Sequence, residues 1–171
     1  MKKMSLKELL IISLLIAMEF VLSRFLSIST SIVKIGFNFI PIAIIAMWYG
    51  PLKAGIAAAL SDFLGAMIAP IGPYFPGFTL TAFLTGVIYG IFLYKREKSW
   101  SNISLAAITV SLVLTLVLDS FWLHTLYGQA FIALLPTRLL KVGIMIPLQI
   151  LMIKLVWEKI CNNQWVRGNV L

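Results

Sequence analysis

Residues 75–98 read FPGFTLTAFLTGVIYGIFLYKREK. The first twenty positions carry no formal charge, and the run stops at Lys95-Arg96-Glu97-Lys98. A helix rising about 1.5 Å per residue needs about 20 largely apolar residues to cross a bilayer. Residues 75–94 therefore predict a transmembrane helix ended by a polar loop. Upstream, 52–69 is a second such run, opened by Gly50-Pro51 and closed by Ala69-Pro70-Ile71-Gly72-Pro73, both turn signals. Residues 35–49 are apolar but short and carry Pro41, which can kink a helix. The first run, 6–28, leads into the Ser/Thr segment Ser27-Ile28-Ser29-Thr30-Ser31. Downstream lie 103–126 and 131–160. The expectation is an all-α integral membrane protein, a bundle of six transmembrane helices forming one domain over 1–171.

Composition excludes the alternatives. Of 171 residues, 61% are hydrophobic and 12% charged, with a mean hydropathy of +1.01. Soluble domains reach about 45–50% apolar and about 25% charged. A soluble enzyme, a disordered chain and a disulfide scaffold are all ruled out. Lys2, Lys3 and Lys7 before the first run resemble a signal peptide, but that run is too long and lacks a small-x-small cleavage pattern. The single Cys161 forms no internal disulfide, and the single His124 forbids an H-E-x-x-H zinc site. No phosphate-binding loop and no G-x-S-x-G elbow is present, so no metal or cofactor is implied and ATP hydrolysis would belong to another chain.

A net charge of +8 would suggest nucleic acid in a soluble protein, but here the cations fill gaps between apolar runs. Six crossings from an inside N-terminus place ten Lys and Arg on one side: Lys2, Lys3, Lys7, Lys53, Lys95, Arg96, Lys98, Lys154, Lys159 and Arg167. Arg24, Lys34, Arg138 and Lys141 fall on the other. The positive-inside rule makes both termini cytoplasmic. Small residues recur every four positions at Ser13 and Ala17, at Ser61 and Gly65, and at Ala82, Gly86 and Gly90, a spacing that lets helices approach closely in lipid.

Charges within a membrane are costly and mark function by default. Glu19, Arg24, Asp62, Asp119, Arg138 and Lys141 are the candidates. By helical rise, Asp119 lies roughly 10 Å and Asp62 roughly 12 Å below the outer ends of their helices, and Arg138 and Lys141 share one face. Tyr74, Phe75, Phe78, Trp122, His124, Tyr127 and Gln129 gather at the same level, and aromatic walls with a few polar groups suit a small-molecule pocket. Structural readings compete: Asp119 and Arg138 as a buried pair, Trp122, Tyr127 and His124 as interfacial residues.

The run Gly72-Pro73-Tyr74-Phe75-Pro76-Gly77-Phe78-Thr79-Leu80-Thr81-Ala82, followed by Gly86-Val87-Ile88-Tyr89-Gly90, resembles the substrate-binding S components of energy-coupling-factor vitamin transporters. Residues 19–28 and Pro136-Thr137-Arg138-Leu139-Leu140-Lys141 carry the likeness furthest toward the folate-specific branch. The resemblance spans the whole chain. It implies a subunit of a bacterial cell membrane that binds its vitamin from outside and has no ATPase activity. Such a subunit docks on a membrane T component, which sits on two cytoplasmic ATPase subunits, and topples to release its substrate. The family docks through an alanine-xxx-alanine row on the first helix, where this chain has Ser13 and Ala17.

Folate fits the outer inventory. Its pterin offers an N–H beside an amino group, which the carboxylate of Asp62 or Asp119 can accept together. Tyr74, Phe78, Trp122 and His124 would line the ring, and Arg24, Arg138 and Lys141 would take the glutamate carboxylates. Other expectations remain: an S component for pantothenate or riboflavin, or a small membrane enzyme acting on lipid.

Overall fold

The computed structural model describes residues 5–29, 34–70, 72–128 and 131–161. Six helices run through these residues. The first is Leu6–Arg24, capped by the Ser5 hydroxyl, which accepts the Glu8 N–H at 3.2 Å. The second, Phe39–Tyr49, is followed after Gly50 by the third, Pro51–Ile68. The fourth is Pro76–Leu93. The fifth is continuous but changes its winding: α-helical over Trp100–Thr109, π-helical over Val110–Leu118, and α-helical again over Asp119–Tyr127. The sixth runs Phe131–Val156, with Pro136 and Pro147 inside it, and ends in a π-helical turn, Trp157–Cys161.

Four of these helices are long and apolar enough to cross a bilayer. The first fails on charge rather than length, since Lys7, Glu8, Glu19 and Arg24 fall within its 19 residues. The second has only 11 residues, about 16 Å against a hydrocarbon core of about 30 Å. It is nonetheless the most enclosed helix, buried at every position from Pro41 to Met47. A helix apolar on all sides sits inside a protein rather than on its surface.

The largest boundary differences from the sequence reading are two, of four residues each. The first helix stops at Arg24 rather than residue 28, and the second starts at Phe39 rather than 35. The intervening chain forms a small antiparallel ladder, Ile28 opposite Ile35 and Ser29 opposite Lys34. The Ser27 hydroxyl donates to the Ser23 carbonyl at 2.5 Å, closing the end of the first helix. The apolar residues 35–38 thus extend from a hairpin rather than from a helix. The Tyr127 side chain and Gln129, expected near the pocket, lie outside what is described.

The third and fourth helices form the closest pair. A Cβ at Gly86 would overlap the Ala54 carbonyl, and one at Gly90 would overlap Pro51. At Gly55 it would meet the Val87 side chain at 2.8 Å. The small-residue row at Gly86 and Gly90 is therefore an internal contact. Around this core the outward residues Leu60, Leu64, Leu80, Leu112 and Ile144 are exposed, as lipid-facing positions are.

Gly86→Leu is expected to destabilise the purified protein by about 1–3 kcal/mol through overpacking. Gly143, with open space around its Cα, takes alanine without loss. Paired thermal-unfolding curves in detergent check both.

Candidate functional site

Chain direction assembles the site. The first and third helices end, the fourth begins, the fifth ends and the sixth begins at one end of the bundle. The hairpin and the 69–75 connection lie at that end too. A cavity of about 360 Å³ opens there and runs down between the third, fourth, fifth and sixth helices. The opposite end carries the other loops and most cations. There Lys53 pairs with Glu8, Lys154 donates to the Lys98 carbonyl at 3.1 Å, and Lys98 stands 4.5 Å from the Trp157 ring centre.

Seven of the nine candidate binding residues line the cavity: Arg24, Asp62, Tyr74, Phe78, Asp119, Arg138 and Lys141. Arg24 reaches it across Gly65, where a Cβ would stand 2.6 Å from both Nε and Nη2. A side chain at 65 would push the guanidinium aside from where it rests on the third helix, and its Nε is buried without a partner among the described residues. The Thr79 hydroxyl donates to Asp62 Oδ2 at 2.8 Å and stands 3.3 Å from the Tyr74 hydroxyl. Asp119 lines the same cavity, with Thr81, Arg138 and Lys141 around it. Arg138, only 3% exposed, donates through Nη1 to the Thr115 carbonyl at 2.5 Å. That carbonyl belongs to the π-helical stretch.

Trp122 stands behind the cavity wall. Its ring packs on Phe75 at 5.6 Å and over Gly77, and its Nε1–H donates to the Thr81 hydroxyl at 3.1 Å. It supports Phe75 and the hydroxyl beside Asp119. His124 is exposed near the helix end, where its carbonyl accepts the Gly128 N–H at 2.9 Å, and Gly128 adopts the left-handed φ of 65° that stops the helix. Neither residue lines the cavity.

Neutral polar residues also line it: Asn38, Thr81, Thr85, Tyr89, Ser111 and Gln149. The sequence reading weighed intramembrane charges and passed over these. The signal was an amide, Gln149, inside the apolar run of the sixth helix.

Glu19 turns inward, 7% exposed, accepting from Asn38 Nδ2 at 3.2 Å and from the Ser61 hydroxyl. Ser13 and Ala17 lie on another face of the same helix and are exposed. With Leu60 and Leu64 of the third helix they border an outward groove of about 350 Å³.

A family model described as the substrate-specific component of ECF transporters matches residues 7–157. The chain belongs to this family. The folate transporter FolT of Clostridium novyi (strain NT) is 44% identical to this S component over 160 residues, covering 94% of this chain and 92% of its own. FolT of Leuconostoc mesenteroides is 36% identical over 154 residues, covering 86% and 83%. A crystal structure of FolT bound with folic acid matches at a TM-score of 0.87 and 39% identity, covering 91% of this chain and 95% of that one. This S component is a multi-pass bacterial membrane protein, a transport subunit and not an enzyme.

Thr81→Val removes the hydroxyl between Trp122 and Asp119 and leaves a buried indole N–H unsatisfied. The ligand-free protein is expected to lose about 1–3 kcal/mol, and Thr81→Ser to lose little, as read by thermal unfolding.

Proposed function

We propose that this S component captures folate at the outer face of the membrane and delivers it inward through a T component driven by two cytoplasmic ATPase subunits. One observation carries the ligand: a single cavity holds two carboxylates together with three cations between aromatic walls. The FolT relatives and the folic acid complex give that chemistry its name. In this reading Asp119 accepts the pterin N–H and amino group, with Asp62 alongside, and Phe78 and Tyr74 flank the ring. Arg24, Arg138 and Lys141 hold the two carboxylates of the glutamate, an anionic tail that an acidic pocket would repel. Trp122 and His124 act from outside the cavity, Trp122 through Phe75 and Thr81.

The orientation belongs to the same proposal. Both termini are cytoplasmic, because ten of fourteen Lys and Arg then lie inside and the cavity mouth faces out. Docking uses the exposed face of the first helix. Ser13 and Ala17 sit four residues apart, about 6 Å along the axis, and present a smooth patch to a partner helix.

Two measurements test the reading. Lys141→Met weakens folic acid binding by about 1.5–3 kcal/mol, the worth of a hydrogen bond to a charged group, and leaves a tail-less pterin unaffected. Equal losses for both ligands would remove Lys141 from the glutamate. Ser13→Trp combined with Ala17→Trp keeps the folate affinity of the isolated chain but abolishes ATP-dependent uptake and co-purification with a T component. Loss of folate binding along with expression would instead place that row inside the fold.

A further inference from the structure

Four helical hydroxyls in this protein bond to their own backbone four residues back, and others, such as Thr79 and Ser61, bond to carboxylates. Thr81 donates to the Gly77 carbonyl at 3.2 Å, Thr85 to Thr81 at 2.9 Å, Ser120 to Leu116 at 2.5 Å and Thr125 to Phe121 at 2.9 Å. Ser111 does not. It is 1% exposed, and among the described residues its Oγ is the one buried serine or threonine oxygen without a partner. Ser111 lines the cavity, and so does Gln149. The Tyr89 hydroxyl, fully buried, donates to Gln149 Oε1 at 3.1 Å. That bond commits the amide oxygen and leaves its two N–H donors for the cavity.

Resting on the folate reading, we infer that Gln149 and Ser111 form a neutral donor subsite at the deep end of the cavity, one that reads the acceptor edge of the ligand's heterocycle. A pterin presents two donors on one edge, its ring N–H and amino group, and two acceptors on another, its ring carbonyl oxygen and the neighbouring ring nitrogen. Asp119 suits the first edge and the Gln149 amide with the Ser111 hydroxyl suits the second. Eight residues separate Ser111 from Asp119 on the fifth helix, at most about 12 Å along its axis. A flat bicyclic ring with a hydrogen bond of about 2.9 Å at each edge bridges that interval. The subsite favours a ring carbonyl over a ring amine, because an amine would set donor against donor.

Affinities of the purified chain for folic acid and for its 4-amino analogue test this directly. The wild type prefers folic acid by about tenfold or more, the scale of one hydrogen bond gained against one left unmade. Gln149→Leu lowers that ratio by about threefold or more, and Ser111→Ala lowers it part of the way; the preference left over belongs to Asp119, because the 4-amino ring also lacks the ring N–H that Asp119 accepts. The double variant Tyr89→Phe with Gln149→Leu removes both partners of the buried bond, so it keeps the fold and shows the same fall in the ratio. An unchanged ratio in the double variant, or no preference in the wild type, overturns the subsite and leaves the folate reading standing. A wild-type chain that binds neither compound overturns the folate reading and this one with it.

Discussion

The third and fourth helices meet backbone to backbone, and the rest of the site depends on that contact. In lipid there is no hydrophobic drive between helices, so association rests on close packing. Gly86 and Gly90 bring the fourth helix directly against Ala54 and Pro51. Toward the other end of the bundle the pair stays joined, Thr79 donating to Asp62 at 2.8 Å, and there Asp62, Phe78 and Ala82 border the cavity. The close contact thus fixes one wall of the cavity.

Within that opening, charge is tolerated because it is arranged. Arg138 is buried, yet it rests on the Thr115 carbonyl and faces Asp119. Asp62 takes a hydroxyl from Thr79. Glu19, apart from the cavity, takes bonds from Asn38 and Ser61 and ties the first helix to the second and third. Arg24 lies on the third helix with a buried Nε that has no hydrogen-bond partner among the described residues. A cation held this way attracts an anion, and folate binding would relieve the cost of its burial.

The fold was legible because the apolar runs are long and their breaks are explicit. Pro51 and Pro76 each open a helix at its first turn, next to the breaks marked by Gly50-Pro51 and by residues 69–73. The hairpin was not legible. Ile35 and Phe37 continue the apolar pattern of the helix that follows, and the pairing of Lys34 and Ile35 with 28–29 has no signal in that pattern. The charged half of the site could be read because ionisable residues stand out in a membrane segment. Trp122 and Phe75 lie next to each other only through the crossing of the fourth and fifth helices, and that crossing has no linear signature. The uncharged half depends on winding: nothing in Val110-Ser111-Leu112-Val113 distinguishes a π-helical turn from an α-helical one.

That winding has a consequence for how the chain tolerates change. A π-helical turn holds about one more residue than an α turn, so everything beyond it is rotated relative to a regular helix. Asp119, Trp122 and Leu123 all lie just beyond. At constant length, a return of 110–118 to α-helical winding would turn all three away from their present partners. Asp119 would leave the cavity for a neighbouring face, and Trp122 would lose Phe75. Deleting one residue along with that return would offset the rotation, because the π turn is where the extra residue is held. A substitution within 110–118 that favours one winding over the other therefore acts on Asp119 and Trp122 without touching either.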